Sequence, residues 1–145
     1  MNHFSSLRNY EHFIYTIQLR YPNISTSTLV IVSRGADIGI MRGELVFRNG
    51  VRLVIWERIT LEYGPLQIET YGYEVWHGNN QLYWYDSQAH PNNPALASTH
   101  PHHKHVPPDI KHNRIPAPGL SFTQPNLPFL IAEIEQALFQ SAKSA

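Results

Sequence analysis

"ELVFRNGVRLVIW", residues 44–56, decides the fold. Two apolar, β-branched runs flank Asn49-Gly50. An Asn-Gly pair supplies the two positive φ angles of a type I′ turn, so the stretch predicts a β-hairpin. A two-residue turn also fixes the register. Phe47 is then expected opposite Arg52, Val46 opposite Leu53, and Leu45 opposite Val54. One face would carry Val46, Val51, Leu53, Ile55 and Ile59, with the acidic Glu57 among them. The other would carry Leu45, Phe47, Val54 and Trp56, with Arg52 and Arg58.

Strand-like runs continue on both sides. "TSTLVIVS" precedes the hairpin, and "PLQIETYGYEVWHG" and "QLYWYDSQ" follow it as a second hairpin around Gly78-Asn79-Asn80. Alternation puts Tyr71, Tyr73 and Val75 on one face with Tyr83 and Tyr85, and Trp76, Leu82, Trp84 and Asp86 on the other. Before the strands, residues 5–21 read as a helix with Ser5 or Ser6 as cap and Pro22 as stop. Its apolar stripe is Leu7, Tyr10, Phe13, Ile14 and Ile17. A second helix is expected over 127–141, capped by Asn126, with Leu127, Leu130, Ile131, Ile134, Ala137 and Leu138 as its stripe. The expected architecture is α+β, an antiparallel meander of about five strands with one helix at each end. It forms one domain over residues 1–145.

Residues 87–125 break the pattern. Pro91, Pro94, Pro101, Pro107, Pro108, Pro116, Pro118 and Pro125 fall there, and periodicity disappears. The segment reads as a long His/Pro-rich functional loop, since a structureless stretch of this length is rare in a compact domain. It contains "HPHHKHVPPDIKHNR", with five of the chain's nine histidines. In extended backbone His100 and His102 share one side, and His103 and His105 the other.

Composition limits the function. Of 145 residues, 42% are hydrophobic, so the chain buries a core. There is no cysteine, which excludes disulfides and thiolate metal sites and suits a cytoplasmic location. The opening residues "MNHFSSLRNYEHF" hold no apolar run of a secretory signal, and no run is long enough to span a bilayer. The 11 Lys+Arg balance 11 Asp+Glu, so nucleic-acid contact must come from a local patch. The histidine segment supplies one, with Lys104, Lys111 and Arg114.

Three readings of the segment compete. The first is acid–base chemistry on RNA. Two histidines divide the base and acid roles near neutral pH, cations stabilise the phosphate, and aromatic rings stack on bases. The second is a metal site, with zinc or nickel held through His100, His102 and His105. His90, Asp109 or His112 are further ligand options, although H-E-x-x-H is absent. The third is a polar loop, with its histidines satisfied against Trp76 or Trp84. Glu57 is either a carboxylate of raised pKa in the site or an ion-pair partner of Arg42 or Arg58. Tyr73 and its neighbours pack a core more often than they bind bases. Asp86 ends its strand as a turn residue, or orients His90 or His102.

At "YWYDSQAH", "HPHHKHVPPDIKHNRIPAPGLSF" and "LPFLIAEIE" the chain resembles the TumE-like toxins of bacterial toxin–antitoxin pairs, once a domain of unknown function. The likeness covers most of the chain. It runs from Glu57 through Tyr71 and Tyr73, then Tyr85, Asp86, Ser87 and His90, to the Pro-His-His-x-His block at Pro101, His102, His103 and His105. Where many members have arginine before the Tyr-Asp pair this chain has Trp84, which moves an expected phosphate contact to Arg114, Lys104 or Lys111. The resemblance implies a growth-arresting toxin with a cognate DNA-binding antitoxin and an RNA substrate. A homodimer is a separate expectation.

The combined expectation is a metal-independent endoribonuclease that needs no cofactor. His102 and His105 are the expected acid and base, with His103 interchangeable; Asp86 orients a histidine, and Glu57 joins the catalytic set. Lys104, Lys111, Arg114, Tyr73, Tyr85 and His90 are the expected RNA contacts. The alternative is a metal-binding or regulatory interaction module without catalytic activity.

Overall fold

The structure is a computed structural model that describes residues 2–144, with side chains through residue 137. Two short helices, α1 (Leu7–Tyr15) and α2 (Ile17–Arg20), open the chain. Strands β1 (Ile24–Ser27), β2 (Val30–Ser33), β3 (Ile38–Phe47), β4 (Val51–Thr60), β5 (Gln67–His77) and β6 (Asn80–Asp86) follow. A 3₁₀ turn (Pro94–Thr99), β7 (His103–His105), β8 (Arg114–Pro116) and α3 (Leu127–Ser144) complete it.

The α+β meander is present, but the described residues form an antiparallel sheet of eight strands rather than five. Its order is β1-β3-β4-β5-β6-β7-β8, with β2 also paired to β3. The single strand expected at "TSTLVIVS" is broken in two, and β1 and β2 lie along opposite ends of β3. Gly43 permits the break. It sits at φ +138°, and a Cβ there would lie 2.6 Å from the Thr28 carbonyl oxygen. The other added strands, β7 and β8, come from the segment expected to be a structureless loop.

The β3–β4 hairpin forms one residue out of the expected register. Gly50 has φ +88° and donates its N–H to the Phe47 carbonyl, but Asn49 has no positive φ. The connection is therefore three residues, Arg48-Asn49-Gly50, and not a type I′ pair. Its Asn49 side chain accepts from the Val51 N–H at 3.0 Å instead. Val46 consequently faces Arg52, and Leu45 faces Leu53. The shift brings Leu45 and Phe47 onto the buried face with Leu53 and Ile55. Burying each such side chain stabilises by about 1.5–3 kcal/mol, which favours this register over one that exposes both.

The second hairpin forms as expected around a turn led by Gly78 at φ +60°, and its register sets Tyr73 opposite Tyr85 and Val75 opposite Tyr83. Tyr71, Tyr73, Val75 and Tyr85 then join the inner face, which the helices cover. The Ser6 side chain caps α1 through the Asn9 N–H, and α1 buries Tyr10, Phe13 and Ile14. The helix expected over 5–21 is interrupted at Thr16. From α3, Leu127, Leu130, Ile131 and Ile134 are buried while Ala137 is exposed; the Leu138 side chain lies outside the described residues. Asn126 does not cap α3 with its side chain. It turns back, bonding Ser121 and giving a hydrogen to the Tyr73 hydroxyl at 3.0 Å. Among the described residues no helix is long and apolar enough to cross a membrane.

Candidate functional site

The helices leave the other face of the sheet open, and register decides what stands on it. Across the β6–β7 pairing, Asp86 faces His103, Trp84 faces His105 and Tyr85 faces Lys104. Alternation therefore sends His103 and His105 to the open side with Trp84 and Asp86, and Lys104 to the helix side with Tyr85.

His103 Nε2 lies 2.9 Å from Asp86 Oδ1, and His105 Nε2 lies 3.1 Å from Asp86 Oδ2. The two Nε2 atoms are 3.2 Å apart. Both rings are almost fully buried, at 1% and 3% exposure, while a quarter of the Asp86 side chain stays exposed. Each ring is fixed from behind. His103 Nδ1 meets the Pro101 carbonyl at 3.0 Å, and His105 Nδ1 meets the Ile110 carbonyl at 2.9 Å. A carbonyl only accepts, so both Nδ1 atoms carry hydrogen. Trp84 stacks on His105 with centroids 3.8 Å apart, and its Nε1–H donates to Asp86 Oδ2 at 3.0 Å. Trp84 was missed as an Asp86 partner, although its place two residues earlier on the same strand face was the available signal.

Charge separates these groups. Burial raises the Asp86 carboxyl, but bonds from His103, Trp84 and the Gln88 amide outweigh it and hold the group well below its ordinary range. Burial lowers His103, yet the Asp86 bond and the Pro101 carbonyl reverse this and raise it. For His105 burial prevails, and its pKa falls.

A cleft of about 440 Å³ opens beside the cluster, lined by Trp84, Asp86, His90, His105, Lys111 and Arg114. The His90 ring stands edge-on to His103 at 4.9 Å. Arg114, opposite His105 on β8, has a buried Nε without a hydrogen-bond partner among the described residues.

The remaining expected residues lie elsewhere. His102 bonds the Tyr71 hydroxyl through Nδ1 at 2.7 Å and stacks on that ring, whereas His100 is exposed. His100, His102 and His105 thus do not converge, and the described ligand-like group is Asp86, His103 and His105. Lys104 approaches Glu133 of α3 at 3.3 Å. Tyr85 is buried and donates to Glu133 at 2.9 Å. Tyr73 is fully buried and donates to Glu57 Oε2 at 2.6 Å. Glu57 also accepts from the Tyr10 hydroxyl. Burial pushes its carboxyl up to about 7 against both tyrosine bonds. Glu57 is thus a core carboxylate on the inner face, remote from the histidine pair and unpaired with Arg42 or Arg58; Arg58 pairs with Glu69. Of the expected residues, the fold brings together Asp86, His90, His103, His105, Lys111 and Arg114.

The family model described as "Toxin TumE" matches residues 13–138, most of the chain. No curated protein and no solved structure matches.

Proposed function

This chain belongs to the TumE toxin family, and on that premise we propose that it is an endoribonuclease working at the open-face cleft. Membership makes it a toxin of a toxin–antitoxin pair and implies an antitoxin partner. The observation supporting RNA as substrate is the meeting, in one cleft, of Asp86 and His105 with Lys111 and the unpartnered Arg114 Nε. Groups that take and give protons stand there beside a guanidinium whose buried Nε has no hydrogen-bond partner among the described residues.

The reaction proposed is attack of a ribose 2′-oxygen on the adjacent phosphorus. A new P–O bond forms, the bond to the 5′-oxygen breaks, and the products are a 2′,3′-cyclic phosphate and a 5′-hydroxyl. The 2′-hydroxyl must lose a proton and the leaving oxygen must gain one, with positive charge needed at the phosphate. The reaction centre is the point where Asp86, His103 and His105 converge, and Arg114, Lys111 and His90 face the phosphate. Base stacking falls to the half-exposed Trp56, which faces the bare Gly72 backbone on the side away from Asp86. This assignment removes Tyr73, Tyr85 and Lys104 from RNA contact. The antitoxin silences the toxin by covering the cleft.

The test is incubation of the purified full chain with RNA, as isolated and with added divalent metal, followed by analysis of the new ends. Cyclic-phosphate termini are expected, with His105→Ala and Asp86→Ala each slower by about 100-fold or more. Intact RNA under both conditions, with folded protein, overturns the proposal and leaves an interaction module.

A further inference from the structure

The Asp86–His103–His105 cluster poses a problem of donors and acceptors. Both Nδ1 hydrogens are committed to the Pro101 and Ile110 carbonyls. In the neutral rings both Nε2 atoms are then bare lone pairs, aimed at each other and at the two Asp86 oxygens. Such a convergence of acceptors calls for a proton or a metal cation between them.

From this geometry we infer that Asp86, His103 and His105 form a site for one divalent transition metal of the zinc class. Four features fit. Metal-binding histidines commonly donate their second N–H to a backbone carbonyl, which fixes the tautomer, and both rings here do so. Tetrahedral ligation with bonds of about 2.0–2.1 Å spaces neighbouring ligand atoms about 3.3 Å apart. The two Nε2 atoms stand 3.2 Å apart, each has its own Asp86 oxygen at 2.9 or 3.1 Å, and with one oxygen per carboxylate the three donor atoms lie within 4.8 Å of one another, so the set can close on one ion with small side-chain shifts. Trp84 Nε1 bonds the ligating carboxylate from outside, as such carboxylates require. Finally, the cleft reaches Asp86 and His105, so a fourth position is open to water or a substrate oxygen, as in catalytic zinc sites. The two imidazoles and one carboxylate suit zinc, nickel or cobalt.

Binding is argued from these atoms alone. Its catalytic meaning rests on the RNA reading above: the ion would sit beside Arg114 and polarise a phosphoryl oxygen or activate a bound oxygen nucleophile.

The competing occupant is a single shared proton, and Co²⁺ separates the two. Full-length protein stripped with chelator is titrated with Co²⁺, then with Zn²⁺ as competitor, and followed by visible absorption. One equivalent of Co²⁺ is expected, giving visible bands that Zn²⁺ abolishes. Paramagnetic NMR should show two strongly shifted exchangeable ring protons, because Nε2 ligation leaves each Nδ1–H on its carbonyl. This readout needs no variant and so is safe from misfolding. His103→Ala and His105→Ala should lose saturable binding, while His100→Ala and His102→Ala retain it. Trp84→Phe should weaken affinity about 10–100-fold by freeing the Asp86 carboxylate. Absence of stoichiometric binding overturns the inference, as does binding that survives His103→Ala and disappears with His100→Ala. The two proposals fail separately. RNA cleavage that persists at full rate in metal-free protein removes the metal from the reaction but not the nuclease. Co²⁺ binding by a protein that cleaves no RNA keeps the metal site and removes the nuclease.

Discussion

Lys104 Nζ lies 3.3 Å from Glu133 Oε2 and 4.2 Å from the centre of the Tyr83 ring, on the helix side of the sheet. The residues that flank it, His103 and His105, stand on the opposite side. One three-residue strand thus divides its side chains between the packed face under α3 and the face of the Asp86 cluster.

Lys104→Met is therefore expected to act on stability and not on RNA. Losing the partly buried ion pair and the ring contact costs about 1 kcal/mol. Urea unfolding should show the loss, and RNA affinity with its salt dependence should be unchanged. A drop in RNA affinity without destabilisation would put Lys104 back among the phosphate contacts.

Arg114→Gln should behave in the opposite way. Removing one phosphate contact on single-stranded RNA lowers the slope of log affinity against log salt by about 0.7. Fluorescence titration of a short RNA at several salt concentrations measures it. An unchanged slope means that Arg114 does not touch phosphate.

Glu57 gives the fold a pH dependence. Its folded pKa of about 7 stands above the ordinary 4.5. Between these values the unfolded chain releases a proton that the folded chain keeps, so stability falls as pH rises. The contribution is complete below pH 4.5 and lost above about 7. It amounts to on the order of 3 kcal/mol. Denaturant melts across this window should show the slope in the natural protein and a flatter curve in Glu57→Gln. Equal slopes in the two proteins would exclude Glu57 as its source.

Gly43 and Gly35 separate two costs. Both have positive φ, but only at Gly43 would a new Cβ strike backbone, at the Thr28 carbonyl. Gly35→Ala should cost about 1 kcal/mol from backbone conformation alone. Gly43→Ala should cost on the order of 3 kcal/mol and loosen β2 from β3, read by thermal melts and amide exchange of Val30–Ser33. Equal losses would mean that the strand break does not depend on this close approach.

Much of the scaffold was legible because periodicity reports burial. The Leu7–Ile17 stripe and the alternation of Tyr71, Tyr73 and Val75 each place an inner face without reference to distant residues. The 44–56 hairpin was legible as a hairpin but not in its register. Asn-Gly suits two turns that differ by one residue, and the burial of Leu45 and Phe47 selects between them. Tyr73 and Glu57 were legible as apolar-face residues, while their mutual bond depends on the β4–β5 register and the Asn126 contact on how the chain returns over the sheet before α3.

The sequence by itself determined which side chains alternate. Once backbone is extended, His103 and His105 share a side, and so do Trp84 and Asp86. Only the tertiary structure decided that these two pairs meet. A three-residue strand among prolines has too little local preference to announce itself, and it forms because β6 offers it an edge to pair with. That pairing puts Asp86 opposite His103 and sends His102 away to Tyr71. Local chemistry named the candidate residues; hydrogen-bond register across the sheet edge chose among them.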